Sequence, residues 1–84
     1  MADLTRDELK TILARAIAAT PGPWQSFIEG RDHSSGSSFI RTSADDIEMS
    51  GATDADRDFI ANARQDIPRL VEALAELKGW RLDV

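Results

Sequence analysis

The sequence contains no cysteine and a single histidine, and these absences exclude several kinds of site. Without cysteine there is no disulfide, no thiolate catalyst and no cysteine-based zinc site. One histidine, His33, cannot form a multi-histidine metal site. We therefore predict that the protein holds no metal and no cofactor.

Long apolar runs are also absent. A membrane-spanning helix needs about 20 consecutive apolar residues, whereas the opening stretch MADLTRDELKTILARAIAA interrupts its apolar positions with acidic and basic ones. The same stretch lacks the pattern of a secretory signal. We expect a soluble, intracellular protein with no membrane partner.

Cationic residues are outnumbered by acidic ones, 10 against 15, so that the formal net charge is −5. Nucleic-acid binding depends on cations that contact phosphates, so this balance argues against direct binding to DNA or RNA. The length of 84 residues and the hydrophobic content of 42% indicate one small domain over residues 1–84.

The first element is an amphipathic helix from about Thr5 to Ala19. Thr5 is a good N-cap residue, and Glu8 three positions later completes a capping-box pattern. The helix period is set by Leu9, Ile12, Leu13, Ala16 and Ile17.

The stretch ATPGPW, residues 19–24, contains two of the three prolines and must end this helix. Proline lacks an N–H donor and clashes with helical continuation, so the chain turns sharply here. Trp24 is expected to cover part of the core with its indole N–H near the surface. The alternative is an exposed aromatic residue that recognises a partner.

The middle of the chain has β character. Residues 24–30 and 38–43 read as two strands of a hairpin, and the serine-rich residues 31–38 as their turn. Residues 46–50 alternate apolar and polar side chains as a short third strand does. We predict an α+β fold that contains a small antiparallel hairpin or a three-stranded meander.

Two C-terminal helices are predicted, over residues 54–64 and 67–78. Pro68 would interrupt a single helix, and Asp66 can cap a new one. One kinked helix is the alternative. The apolar stripe of this region consists of Phe59, Ile60, Ala63, Ile67, Leu70, Val71, Leu74 and Leu77. Gly79 then fits the position that ends a helix, and Trp80 is expected to fold back onto the last turn.

Three aspartates, Asp54, Asp56 and Asp58, resemble the start of a calcium loop. An EF-hand needs glycine at the sixth position and glutamate at the twelfth, where this chain has Phe59 and Gln65. The spacing therefore favours helix capping over calcium binding.

No catalytic constellation is evident, and we predict that the protein is not an enzyme. Residues 32–34, Asp-His-Ser, have the residue types of a catalytic triad, but sequential neighbours in a turn do not converge. A phosphate-binding loop is absent as well.

Residues 45–58 are strongly acidic. Their formal charge of −5 equals that of the whole chain, since Arg57 is the one base among them. One interpretation is a solvated face that maintains solubility. The other is a contact surface for a basic partner, formed by Asp45, Asp46, Glu48, Asp54, Asp56 and Asp58.

Two sequence blocks carry a resemblance to a known family. They are ARAIAATPGPW, residues 14–24, and DRDFIANARQDIPRLVEALAEL, residues 56–77. The pair resembles the Ead-like early-region family of small phage and prophage proteins. In that family ATPGPW follows a first helix, and D-x-x-F-I-A-x-A-R-x-D-V-P-x-L leads into a final one. The residues that match the second motif are Asp56, Phe59, Ile60, Ala61, Ala63, Arg64, Asp66, Pro68 and Leu70, with Ile67 at the usual valine.

This resemblance implies a phage or prophage accessory protein in the cytoplasm of the bacterial host. Such genes are commonly non-essential and often act in host takeover or against host defence. The leading hypothesis is a protein-binding inhibitor, including an anti-defence (anti-CRISPR-like) one, that contacts a nucleic-acid-handling host protein through the acidic residues. The alternative is a structural or self-associating module, for example a homodimer through the last helix. The family motif can also be a folding signature in which Arg64 bonds orphan carbonyl groups or pairs with Asp66.

Overall fold

The computed structural model describes residues 4–83 and has four elements. Helix α1 spans Arg6–Ala18, strand β1 Gln25–Phe27, strand β2 Phe39–Arg41 and helix α2 Asp54–Lys78. The predicted α+β class, the N-terminal helix and the hairpin are confirmed. The predicted number of helices is wrong, because two helices are present in this part of the chain and not three.

The described chain divides into two compact units. The terminal unit comprises residues 4–19 and 66–83, and the central unit comprises residues 20–65. Helix α2 contributes its first part to the central unit and its second part to the terminal unit. The expectation of one domain over residues 1–84 stays a prediction.

Helix α1 begins with the predicted capping box. The Thr5 hydroxyl accepts a hydrogen bond from the Glu8 amide at 3.1 Å, and the Glu8 carboxylate accepts one from the Thr5 amide at 2.9 Å. These two bonds satisfy donors that the first turn of a helix otherwise leaves free. The helix ends at Ala18, and Ala19 is already extended.

The terminal unit has a small apolar core. Leu9 and Leu13 of α1 and Val71 of α2 are buried, and the side chains packed against them are those of Ile12, Leu74, Trp80 and Leu82. Ile17, predicted to share the buried stripe of α1, is instead 58% exposed. It lies at the end of the helix, where the stripe continues past the core.

The end of α2 follows the prediction. The Trp80 amide bonds the Ala75 carbonyl at 2.9 Å, and the Gly79 amide bonds the Glu76 carbonyl at 3.1 Å. This pair of bonds defines a Schellman motif, which requires the positive φ of 70° at Gly79. The motif turns Trp80 back onto the apolar core of the terminal unit.

The predicted break near residues 65–67 is wrong, and α2 runs without interruption past Pro68. Proline at this position cannot donate the bond to the carbonyl four residues earlier, which costs about 3 kcal/mol. Good helix-forming residues on both sides, with apolar positions that pack, outweigh this local loss. Asp66 does not cap a new helix, and its carboxylate lies 3.9 Å from the Arg69 guanidinium. The structure agrees with the alternative of a single C-terminal helix.

The buried face predicted for the first part of α2 is wrong. Phe59 is 74% exposed and Ile60 38%, whereas Ala61 is completely buried. Apolar residues on more than one face of a helix do not reveal which face meets the core. The assignment of Phe59 and Ile60 to the core is therefore corrected.

The hairpin has a buried face and an outer face. Ser26 of β1 pairs with Ile40 of β2, and both are buried. On the outer face the rings of Phe27 and Phe39 stack with centroids 5.2 Å apart, and the Arg41 guanidinium lies 4.5 Å from the Phe27 centroid. Such cross-strand pairs stabilise a short hairpin.

The predicted third strand over residues 46–50 is wrong. Ile47 forms one antiparallel bridge with Ile40, with backbone bonds of 2.8 and 2.9 Å, and the pairing extends no further. The short apolar alternation around Ile47 is enough for one paired residue, but a strand needs several.

The turn predicted from ATPGPW is held by the first part of α2. We call residues 20–24 the proline loop. The Thr20 carbonyl accepts bonds from Trp24 Nε1 at 3.0 Å and from Arg64 Nε at 2.9 Å. The Gln65 side chain accepts a bond from the Trp24 amide at 2.6 Å and donates one to the Trp24 carbonyl at 3.2 Å. Trp24 is half-buried, and its indole N–H is used within the loop.

We predict that Pro68→Ala stabilises the protein. Alanine restores a helical N–H donor at a site that lacks one, which gains about 3 kcal/mol, while the freer unfolded chain offsets up to about 1 kcal/mol of this. Urea denaturation should show a free energy of unfolding about 2 kcal/mol higher than that of the wild type. The control Glu72→Ala changes an exposed residue of the same helix and should have little effect. A Pro68→Ala protein less stable than the wild type would contradict the continuous helix.

Candidate functional site

The first part of the acidic region is a segment fixed by backbone contacts. The Thr42 hydroxyl donates to the Asp45 carbonyl at 2.7 Å and accepts from the Ala44 amide at 2.9 Å. Two residues further on, Ile47 exchanges backbone bonds with Ile40 of β2. The segment therefore has a defined conformation although it is neither helix nor strand.

This segment presents three acidic side chains to solvent. Asp45, Asp46 and Glu48 are exposed. Within residues 4–83, no cationic group lies within 4.0 Å of any of their carboxylates. Of the six predicted contact residues, these three have neither an ion pair nor a side-chain hydrogen bond to a cation among residues 4–83.

Asp56 belongs to the N-terminus of α2. The Asp56 amide donates to the Thr53 hydroxyl at 3.0 Å, and the Asp56 carboxylate accepts from the Thr53 amide at 3.0 Å. The pKa of Asp56 lies below its usual value of 3.8, first because of the bond from the Thr53 backbone and then because of its side chain. Thr53, directly before the first residue of α2, is therefore its N-cap.

Arg57 connects the helix to the acidic segment. One guanidinium nitrogen lies 3.5 Å from the Asp54 carboxylate, and another donates to the Met49 carbonyl at 3.3 Å. Arg57 and Glu48 line the same surface depression. Asp54 remains exposed in spite of its contact with Arg57.

Asp58 is committed to an internal network with Arg31. The Arg31 guanidinium donates two bonds to the Asp58 carboxylate, at 2.9 and 3.0 Å, and the Ser26 hydroxyl donates a third. The bonds from Arg31, and then that from Ser26, lower the pKa of Asp58 from 3.8 to about 2. Asp58 is therefore not a free member of the predicted contact surface.

Asp32 completes this network. It accepts two bonds from Arg31, at 2.8 and 3.1 Å, and one from the Ile28 amide at 2.9 Å. The bonds from Arg31 and then from the Ile28 amide hold the pKa of Asp32 below 3.8. One arginine thus joins the turn after β1 to the first part of α2, with a fork geometry suited to carboxylates.

Sequence reasoning missed this network, and no local signal could have revealed it. Arg31 and Asp58 are 27 positions apart. Both have ordinary local interpretations, Arg31 as a residue of a polar turn and Asp58 as a residue of an acidic helix start. Only the tertiary arrangement brings them into contact.

The residues that resemble a catalytic triad or a calcium loop each contact a different partner. Asp32 contacts Arg31, while His33 Nδ1 donates to the Ser35 carbonyl at 2.6 Å, so the two side chains do not converge. The three aspartates at 54, 56 and 58 contact Arg57, Thr53 and Arg31, respectively. Among residues 4–83 there is no group of three or more potential ligands that could hold a metal ion.

Comparison with known proteins assigns neither a family nor a function to the chain. The chain matches no protein-family profile, no curated protein and no solved structure. In the part of the chain that the structure covers, neither helix is long and apolar enough to cross a membrane. The resemblance to the Ead-like family stays a prediction.

We predict that Asp58→Asn makes the free energy of unfolding depend less on pH under acidic conditions. A carboxylate with a depressed folded pKa stabilises the protein above its unfolded pKa, and this contribution is lost as the pH falls through the folded pKa. For Asp58 that window extends from pH 3.8 down to about 2. The wild type should lose more unfolding free energy across this window than the variant. At neutral pH the variant should be the less stable of the two.

Urea denaturation at several pH values between 2 and 4 measures this difference. The control is Asp46→Asn, which removes the same charge from an exposed carboxylate without a cationic partner among residues 4–83. Its profile should follow that of the wild type. Equal flattening in both variants would show that the Arg31–Asp58 contact contributes nothing specific.

Proposed function

We propose that the chain is a phage or prophage accessory protein that acts by binding a basic surface of a host protein. The contact surface comprises Asp45, Asp46, Glu48 and Asp54, which we call the acidic surface. Asp56 and Asp58 are left out of it because their carboxylates bond Thr53 and Arg31.

The observation that carries this proposal is a set of exposed carboxylates on a fixed backbone. Residues 45–54 contain four acidic residues and no cationic one. The turn at Thr42 and the bridge at Ile47 hold the start of this segment, and Arg57 bonds it at Met49. A binding segment that is already ordered loses less conformational entropy when a partner docks.

The charge of the surface suggests how it works. Complementary charge accelerates encounter and rejects partners of the wrong sign. A protein that normally binds DNA or RNA presents a cationic surface of the kind that four clustered carboxylates can occupy. This reasoning, together with the resemblance to phage proteins, supports a nucleic-acid-handling host protein as the target and inhibition as the outcome.

The acidic surface predicts a salt-sensitive partner. We would capture partners of the tagged protein from a bacterial lysate at low and moderate salt, and then measure binding of the purified partner by stopped-flow kinetics. The triple variant Asp45→Asn, Asp46→Asn, Glu48→Gln keeps side-chain shape and removes three charges. Its association rate should fall, and the rate should lose most of its salt dependence.

The matched control removes three charges elsewhere. Asp7→Asn, Glu72→Gln and Asp83→Asn alter exposed residues of the terminal unit and give the same net charge. This control should bind as the wild type does. An equal fall of the association rate in both triple variants would show that only net charge matters. Capture of nothing but the protein itself would contradict the proposal.

A further inference from the structure

The outer face of α2 in the terminal unit is apolar and exposed. Leu70 is 65% exposed, Leu77 85% and Ile67 39%, and Ala73 between them is exposed as well. Leu70, Ala73 and Leu77 follow the i, i+3, i+7 spacing that aligns side chains along one side of a helix. We call Ile67, Leu70, Ala73 and Leu77 the outer stripe.

The outer stripe is not needed for the core of its own unit. Val71 and Ala75 are buried, and at 3.6 residues per turn they lie on roughly the opposite side of the helix from Leu70 and Leu77. The core is formed by those inward residues with Leu9 and Leu13. Single exposed apolar side chains are common, but a contiguous row of large ones is typical of an interaction surface.

Two charged residues beside the outer stripe can pair with the same two residues of a second copy. Arg69 and Glu76 lie along the same edge of the stripe, two helical turns apart. When a second copy of α2 is laid antiparallel with the two-fold axis near Ala73, each Arg69 faces Glu76 of the other copy. A parallel arrangement places Arg69 next to the apolar edge of the other helix and forms no such pair.

The shape of the stripe agrees with this arrangement. Leu70 of one copy meets Ala73 of the other, and the small alanine leaves room for the leucine. Ala73 and Leu70 already line a surface groove on α2 whose other walls are Asp66, Arg69, Glu72 and Glu76. In the monomer Arg69 has only a weak contact, at 3.9 Å from Asp66 with 81% of its side chain exposed, so it is available to a partner.

We propose that the protein forms an antiparallel homodimer through the outer stripe, with reciprocal Arg69–Glu76 ion pairs on its edge. The two-fold symmetry uses the same patch on both copies, as in most homodimers. The occupant is a second copy because the pattern of charge is complementary to itself. This inference is independent of the acidic surface, which belongs to the central unit.

The outer stripe can be tested by sedimentation equilibrium over a range of protein concentrations. The wild type should show a concentration-dependent dimer. Leu70→Ser with Leu77→Ser should be monomeric while circular dichroism shows unchanged helix content. The control Ile17→Ser removes an apolar residue that is exposed on α1 of the same unit, and it should dimerise as the wild type does.

Charge exchange tests the orientation. Arg69→Glu and Glu76→Arg should each weaken self-association roughly tenfold, because each creates like-charge contacts at both ends of the interface. An equimolar mixture of the two variants should regain wild-type affinity as a heterodimer, since every contact is then between opposite charges. The double variant Arg69→Glu, Glu76→Arg should also dimerise.

Any of three results would overturn the proposal. A wild type that is monomeric at every concentration would exclude the homodimer and leave the outer stripe for a helix of another protein. A dimer that persists in the Leu70→Ser, Leu77→Ser variant would place the interface elsewhere. A mixture of the charge variants that associates no better than either alone would reject the antiparallel register.

Discussion

The hydrogen bonds between α2 and the proline loop determine how the central unit is arranged. Gln65 bonds both the amide and the carbonyl of Trp24, and Arg64 bonds the carbonyl of Thr20. Trp24 immediately precedes β1, so these bonds fix the start of the hairpin on the helix. A Cβ at Gly22 would lie 3.2 Å from the Gln65 oxygen, so a larger residue there would push on the side chain that bonds Trp24. Residues of the two sequence blocks, 14–24 and 56–77, thus contact each other, which supports the interpretation of these blocks as a folding signature.

Two groups of carboxylates can be distinguished in the central unit. Asp58 and Asp32 bind the Arg31 fork, and Asp56 bonds Thr53 at the start of α2. These carboxylates stabilise the fold, and their lowered pKa values reflect the bonds they accept. The acidic surface has no comparable role in the described chain apart from the contact of Asp54 with Arg57. These carboxylates therefore divide into those that bond within the fold and those that the fold leaves exposed.

The sequence predicts local structure well where the signals are local. The Thr5 and Glu8 capping box, the stop at the proline loop and the Gly79 helix end depend on residues a few positions apart, and the structure has all three. The orientation of the first part of α2 could not be predicted, because Phe59 and Ala61 both fit an apolar helical stripe. Pro68 does not end α2, since packing along a long helix can outweigh one missing hydrogen bond. The internal role of Asp58 depends on a partner 27 residues away, and composition cannot separate it from the exposed aspartates.

Through Gln65, α2 fixes the start of the hairpin and, through the hairpin, the acidic surface. Amide hydrogen exchange by NMR tests this claim in Gln65→Leu, which keeps side-chain size and removes both polar contacts to Trp24. We expect faster exchange at the Trp24 amide and also at the Ile47 amide, which bonds the Ile40 carbonyl at 2.8 Å. Gln25→Leu, at an exposed glutamine of β1, should leave both amides protected. Wild-type protection of the Trp24 and Ile47 amides in Gln65→Leu would contradict the account.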